Sequence, residues 1–295
     1  MAKDIYQEMT DKIVAAVEAG AAPWRCDWQR GGKGGLPLRV TGEEYKGFNI
    51  LLLAMTAMQQ GYAGRHWMTF NQAKALGGGV RKGEKGSPVV FFKPLERERE
   101  GDNGETETVK IPMMRAYTVF NVDQIDGLPE RFAPEVLPEL PAKERDQLAE
   151  AALRSSGASI NEDGNGRAFY RPSTDSIHLP AFERFFSTGG FLATMAHELV
   201  HWTGAKKRLD REFGTRFGDK AYSFEELVAE IGASFICARL GVAGEHFDNH
   251  AGYISHWLGI MKGDKRAIFS AASLAQAAAD FVLANASASE ERKAA

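Results

Sequence analysis

Hydrophobic positions recur with two different periods along this chain. Ile5, Met9, Ile13, Val14 and Val17 are spaced by threes and fours, which predicts a helix over 4–19 stopped at Gly20. A second helix is expected over 50–60, closed by Gly61. Residues 67–70 are strand-like, and a short helix follows, entered through Asn71. Strands are expected over 87–93 and 113–122, separated by a polar excursion with Gly101-Asp102-Asn103-Gly104 at a hairpin tip. Prolines at 129, 134, 138 and 141 then mark an extended linker. Beyond it the pattern predicts a helix to Arg154, and a hairpin from 158–160 and 167–170 around the turn-rich 161–166. A short strand follows over 175–180. Helices are expected over 190–203, over 224–240 behind an N-capping Ser223, over 249–261 and over 270–283. The fold class is therefore α+β in two domains: 1–128, a Pro-rich linker 129–142, a second domain 143–285, and a disordered tail 286–295.

Composition narrows the classes. The chain has 295 residues, 44% hydrophobic and 25% charged, as expected of a globular protein. The apolar runs in the sequence, such as Ile50–Ala57, are too short to span a membrane, and the N-terminus has no signal-peptide core. Two cysteines, Cys26 and Cys237, far apart, argue for a reducing cytoplasm and against a disulfide framework or a cysteine zinc finger. The net charge of -3 hides an asymmetry. Residues 20–95 carry 11 Lys/Arg against 4 Asp/Glu, whereas from Pro129 onward there are 19 against 23. The basic surface is near the N-terminus.

The strongest chemical signal is His197-Glu198-Leu199-Val200-His201 inside an apolar run. On a helix, positions i and i+4 share one face, so the two imidazoles can meet one metal ion. Glu198 stands beside them, where a base for a metal-activated water belongs. The alternative is a buried helix with two satisfied histidines. Three features favour the metal. The helix is amphipathic. The strand 175–179 precedes it, where zinc peptidases place the edge strand that holds an extended substrate. And Glu225-Glu226-Leu227-Val228-Ala229-Glu230 follows, with Glu226 and Glu230 one turn apart. One of the two can complete the ligand set and the other can orient a histidine. The E-x-x-x-E spacing resembles the E-x-x-x-D of glutamate-type zinc peptidases, which favours Glu226 as ligand with Glu230 behind. Glu225 reads as a solvated neighbour. Two histidines and a carboxylate suit Zn²⁺, with Mn²⁺ or Co²⁺ as alternatives. Tyr253 and His256 are candidates, by position only, for stabilising an oxyanion. An intact motif shows capacity for metallopeptidase chemistry, not its use.

In the first half, Trp24, Trp28, Tyr45 and Trp67 are interleaved with cations that include Arg81, Lys82 and Lys85 in a glycine-rich loop. Cationic loops track phosphates and aromatic faces stack bases, a combination suited to single-stranded nucleic acid. The alternative is that the tryptophans are core and the charges a solvated face.

Several longer phrases carry a resemblance. They are Pro23-Trp24 with Trp28, Tyr45-x-Gly47-x-Asn49, Trp67-x-Thr69-Phe70-Asn71-Gln72, Gly78–Lys85 and Val119–Leu128. The second half adds His197–Gly204 and Glu225–Ala233. Together they resemble the ArdC-type antirestriction proteins of conjugative plasmids over nearly the whole chain. The N-terminal part also resembles the leading domain of TraC-type plasmid primases. The resemblance implies a single-stranded-DNA-binding domain, a zincin-like metallopeptidase domain, and protection of incoming plasmid DNA from host restriction. The target of proteolysis would be a restriction enzyme or another DNA-bound protein, and no membrane is involved. Two rivals stand beside this expectation. One is a protein that masks DNA with a dispensable metal site. The other is a DNA-dependent protease acting on proteins bound or crosslinked to DNA.

Overall fold

The computed structural model describes residues 4–20, 24, 35–100, 106–133, 146–163, 166–211, 220–242 and 251–294, of which 92–100, 106–113, 251–252 and 285–294 as backbone only. The Gly101–Gly104 tip, most of the Pro-rich linker and Trp28 lie outside the described residues.

The N-terminal half opens with α1 (Ile5–Glu18), whose first turn is capped by the Asp4 carboxylate accepting from the Gln7 amide. β1 (Leu38–Arg39) precedes α2 (Phe48–Gln60), which ends at Gly61 in the left-handed conformation. β2 (His66–Met68) leads into α3 (Phe70–Ala75). That helix is capped by Thr69 and Gln72 in a reciprocal box, two residues earlier than the Asn71 entry expected. β3 (Gly79–Val80) is followed by β4 (Ser87–Glu100), β5 (Thr106–Asn121) and β6 (Ile125–Asp126). The sheet order is β1-β2-β5-β4, with a separate β3-β6 pair. Both strands of the expected hairpin run further into the polar excursion than residues 93 and 113. β4 and β5 stay in register from Ser87↔Val119 to Glu100↔Thr106. Asn49, from the Tyr45-x-Gly47-x-Asn49 phrase, exchanges two hydrogen bonds with the Val90 backbone and so pins α2 to β4. Pro129 to Ala133 is not linker either, since Phe132 is buried in the small core under β3 and β6.

The C-terminal half comprises α4 (Gln147–Arg154), β7 (Ser159–Glu162), β8 (Phe169–Arg171), β9 (Ser176–Leu179), α5 (Thr188–Thr203), α6 (Lys220–Leu240), α7 (Ala251–Gly263) and α8 (Ala267–Ala294). Two expectations fail here for one reason. β7 and β8 do not form a hairpin. Each pairs with β9, β7 in parallel and β8 antiparallel, so β9 is the central strand rather than the edge. Ile177 and Leu179, which share one face of β9, are fully buried, and β9 packs against α5. The edge strand that packs against α5 is β8. α6 begins at Lys220, which places Ser223 inside the helix, its carbonyl accepting from the Trp257 indole. α8 runs to Ala294, beyond the expected frayed tail, since its Ala, Ser, Glu and Lys residues contain no Gly or Pro to stop it.

The halves share one hydrophobic core that joins Ile13 and Leu51 to Phe235, Ile268 and Ala275. At the seam Phe48 stacks on Phe269 at 3.9 Å between ring centroids, and Trp24 meets Trp257 edge-on at 5.6 Å. Arg239 on α6 bridges Glu44 and Asp280 at 3.0 and 2.7 Å. An 18-residue window of α8, Ala267–Ala284, is apolar enough to cross a membrane, but half of it is buried, and α8 packs on α6, α5 and α4.

The connection from β8 to β9 is locked to the loop after α5. Asp175 (φ 51°) accepts from Arg208 Nη2 at 2.6 Å and from the Tyr170 hydroxyl at 2.9 Å, while the guanidinium lies 3.9 Å over the Trp202 ring. The Arg208 bonds, helped by Lys207, hold the Asp175 carboxyl well below the usual carboxylate range. Its stabilising effect is therefore present above about pH 4 and lost as pH falls further. Asp175→Asn keeps a residue that tolerates the left-handed conformation. At pH 7 it is expected to cost about 1–2 kcal/mol, allowing for partial exposure. Urea melts at pH 7 and pH 3 check this; the deficit should shrink at the lower pH.

Candidate metal centre

α5 and α6 lie side by side, and the closeness is set by Gly232. A Cβ there would meet Val200 Cγ2 at 2.7 Å. This brings the histidine face of α5 against the glutamate face of α6. The Nε2 atoms of His197 and His201 are 3.1 Å apart. Glu226 offers Oε2 at 3.6 Å from the first and Oε1 at 3.5 Å from the second. The ligand atoms of His197, His201 and Glu226 all lie within 4.8 Å of one another. Glu230, one turn on, places Oε1 3.9 Å from His197 Nδ1, on the outer side of that ring.

Glu225 is not a solvated neighbour. It is 4% exposed, and its Oε1 lies 3.2 Å from His201 Nδ1. Arg211 grips the same carboxylate through Nε at 3.0 Å and Nη2 at 2.8 Å. Consecutive residues on a helix point about 100° apart, so Glu225 and Glu226 can reach different sides of the same histidine pair.

The donor set fits a divalent cation. Glu198, Glu225, Glu226 and Glu230 are all under 9% exposed, while Arg211 is the buried arginine against them. Buried charge without compensation costs several kcal/mol per ion, which a divalent ion among these groups offsets. Burial opposes charge on His201, yet Glu225 and Glu226 outweigh it and push the ring up to about 10; His197 is raised too, with Glu226 foremost against burial. Burial would raise Glu226, but its two histidine partners hold it well below the carboxylate range.

Tyr222 escaped sequence reasoning, although it lies one turn before Glu226 and so on the same face. The charge of Glu226 acts on its phenol, and its hydroxyl accepts from Tyr253 at 3.3 Å. Burial, then Tyr253 and Glu226, push the Tyr222 phenol up, so it stays neutral and able to donate. Tyr253 thus reaches the centre through Tyr222, whereas His256 on α7 is exposed. His178 belongs elsewhere, its Nδ1 2.5 Å from Asp163.

The three expected base-stacking aromatics among the described residues are core. Trp24, Tyr45 and Trp67 are 3%, 2% and 1% exposed and have no ring face to offer a base. Arg81, Lys82 and Lys85 are exposed, but Arg81 is committed within the molecule, to Glu84, Asp126 and the Asp123 carbonyl. The two long motifs of this half fit each other here, with Gln124 donating to Glu84 and to the Lys85 carbonyl. The exposed aromatics include Phe91 and Tyr117, paired edge-to-face at 5.5 Å across β4 and β5, beside exposed Arg115. Strand alternation (Phe91 and Tyr117 out, Val90 in) was the signal that could have found them. A groove of about 780 Å³ runs between α1, α2 and the glycine loop, lined among others by Lys12, Gln59, Tyr62, Lys85 and Gly86.

Comparison with known proteins agrees with both halves. Residues 3–120 match the N-terminal domain of the anti-restriction factor ArdC, and 147–274 match a zincin-like metallopeptidase family. A protein of Sinorhizobium fredii described as uncharacterized, y4eC, is 41% identical over 95% of this chain and 91% of its own. An Escherichia coli DNA primase, TraC, is 40% identical over 96% of this chain, which spans only 27% of the primase. The likeness to TraC therefore covers this whole chain, not its N-terminal part alone. Crystal structures of the antirestriction ArdC protein of plasmid R388 superpose closely. The metal-free form has a TM-score of 0.84, 47% identity and coverage of 97% of this chain and 99% of that one. The Mn(II)-bound form has a TM-score of 0.81, 46% identity and coverage of 96% and 98%. With both halves matched, and nearly the full length shared with a solved relative, the chain belongs to the ArdC antirestriction family.

Proposed function

We propose that this protein protects incoming plasmid DNA in the recipient cytoplasm. It would hold single-stranded DNA on its N-terminal half, residues 1–128. There it would hydrolyse a peptide bond in a restriction enzyme or another DNA-bound protein, at a metal site in residues 143–285. The observation that carries the reading is the convergence of His197 Nε2, His201 Nε2 and the Glu226 carboxylate on one point between α5 and α6. Those three would hold the metal. Zn²⁺ suits the donor set, and Mn²⁺, which the R388 relative binds, or Co²⁺ suits it as well. When bound, the ion supplies Lewis acidity toward a carbonyl and lowers the pKa of water.

The chain's own residues do the rest. Glu198 follows His197 on α5 and is close enough to raise that ring's pKa, so it can take a proton from a water and return it to the leaving amine. Tyr222 is a neutral donor beside Glu226, suited to the oxygen on which negative charge develops. The outer edge of β8 can pair with an extended peptide beside α5. On the other half, Lys82 and Lys85 supply the phosphate contacts and the groove beside them the path of the strand.

Glu198→Ala tests the proteolytic part. A folded, metal-loaded variant should lose protection in a restriction assay; full protection would side with DNA masking instead. For the DNA surface, Lys82→Ala/Lys85→Ala should weaken single-strand binding and reduce the slope against log salt by roughly 1.4, or 0.7 per phosphate contact. Unchanged binding would move the surface elsewhere.

A further inference from the structure

Arg211 has no place in the metal motif. It lies ten residues beyond His201, past the end of α5, and is 9% exposed. Its guanidinium makes four hydrogen bonds, two to Glu225, one to the Val200 carbonyl at 2.6 Å and one to the Thr203 hydroxyl at 2.9 Å. It therefore ties α6 to the last turn of α5, where a cation also meets the negative end of the helix. Glu225 passes this tie to His201 at 3.2 Å. A carboxylate can only accept, so Glu225 takes the hydrogen of His201 Nδ1, which leaves Nε2, on the Glu226 side, as the atom a metal would use. Two donors from Arg211 fix the direction of the Glu225 carboxylate. The equivalent contact at His197, from Glu230, is longer at 3.9 Å, so the two rings are unequally held.

We infer that Arg211 and Glu225 form a positioning pair that fixes the tautomer and orientation of His201 and thereby sets how tightly, and for how long, the centre holds its metal. The inference rests on the metal reading above and deepens it. Carboxylates behind ligand histidines commonly change metal affinity by about 10–100-fold.

The test is competition of Mn²⁺ and Zn²⁺ against a chelator, with stopped-flow release, on the full chain. Glu225→Gln and Arg211→Lys should weaken binding by roughly 10–100-fold, mainly through faster release. Thr203→Val removes another Arg211 partner without touching Glu225, and should leave affinity within about twofold of wild type while lowering the apo melting temperature. If Thr203→Val weakens metal binding as much as Glu225→Gln does, the pair is a structural brace and the inference fails. It fails equally if Glu225→Gln and Arg211→Lys bind as wild type. Should those variants not fold, long-range ¹H–¹⁵N correlation spectra of the Zn²⁺-loaded wild type decide. A protonated Nδ1 with a metal-bound Nε2 at His201 supports the pair, and the reverse overturns it. Absence of stoichiometric metal in the wild type would instead remove the metal reading itself.

Discussion

His201→Ala and Glu226→Ala should each abolish stoichiometric Mn²⁺ or Zn²⁺ binding, while Glu230→Ala should bind more weakly but still one to one. Structural zinc sites with four ligands are worth about 10–16 kcal/mol, or roughly 3 kcal/mol per ligand, so losing one costs more than about a hundredfold. Glu226 touches the inner nitrogen of both rings, at 3.6 and 3.5 Å, whereas Glu230 stands behind one of them. Removing a group of the second kind costs about 10–100-fold. Titration calorimetry separates the outcomes. Equal loss in Glu226→Ala and Glu230→Ala would mean that both carboxylates bind the ion.

Gly232→Val should destabilise the protein by more than about 3 kcal/mol and weaken metal binding with it. The added Cβ would lie 2.7 Å from Val200 Cγ2 and 3.1 Å from Cγ1, and a β-branched side chain on a packed helix cannot turn aside. Overpacking of this kind costs about 1–3 kcal/mol for a small addition, and valine adds two further methyls. Gly232→Ala is the instructive contrast. Its overpacking, about 1–3 kcal/mol, is only partly offset by the roughly 1 kcal/mol that alanine gains over glycine inside a helix, so it should destabilise by less than about 2 kcal/mol. Val200→Ala removes the obstructing methyls. Paired with Gly232→Val it should recover much of the loss, and thermal melts of the two singles and the double measure that coupling.

Both results depend on one contact between α5 and α6, and the sequence shows only part of it. Helical period and motif spacing make His197, His201 and the run Glu225–Glu230 legible, because each lies within one helix. Which glutamate meets which ring is decided by how the helices are rotated against each other, and that depends on Val200 seated over Gly232. Glu225 therefore read as a surface residue although Arg211 buries it. Arg211 itself comes from a loop that no periodicity marks. The same limit explains the sheet. Alternation gave β7, β8 and β9 as strands, but the pairing of both β7 and β8 with β9 is not a property of any one strand's own pattern. In the N-terminal half, aromatic and basic residues in alternation fit a solvated stacking face and a core equally well. Trp24, Tyr45 and Trp67 proved to be core. The family resemblance was legible throughout because its phrases mark special backbone positions and internal hydrogen bonds. Asn49 on Val90 and Gln124 on the glycine loop are of that kind.

The measurement that bears most directly on the metal centre is anomalous diffraction from crystals of this protein soaked in Mn²⁺ or Zn²⁺. The account predicts one strong peak between α5 and α6, about 2.0–2.2 Å from Nε2 of His197, Nε2 of His201 and a Glu226 oxygen, with Glu225 hydrogen-bonded to the outer side of His201. A peak elsewhere, or none at this site with the protein saturated by metal in solution, would contradict it.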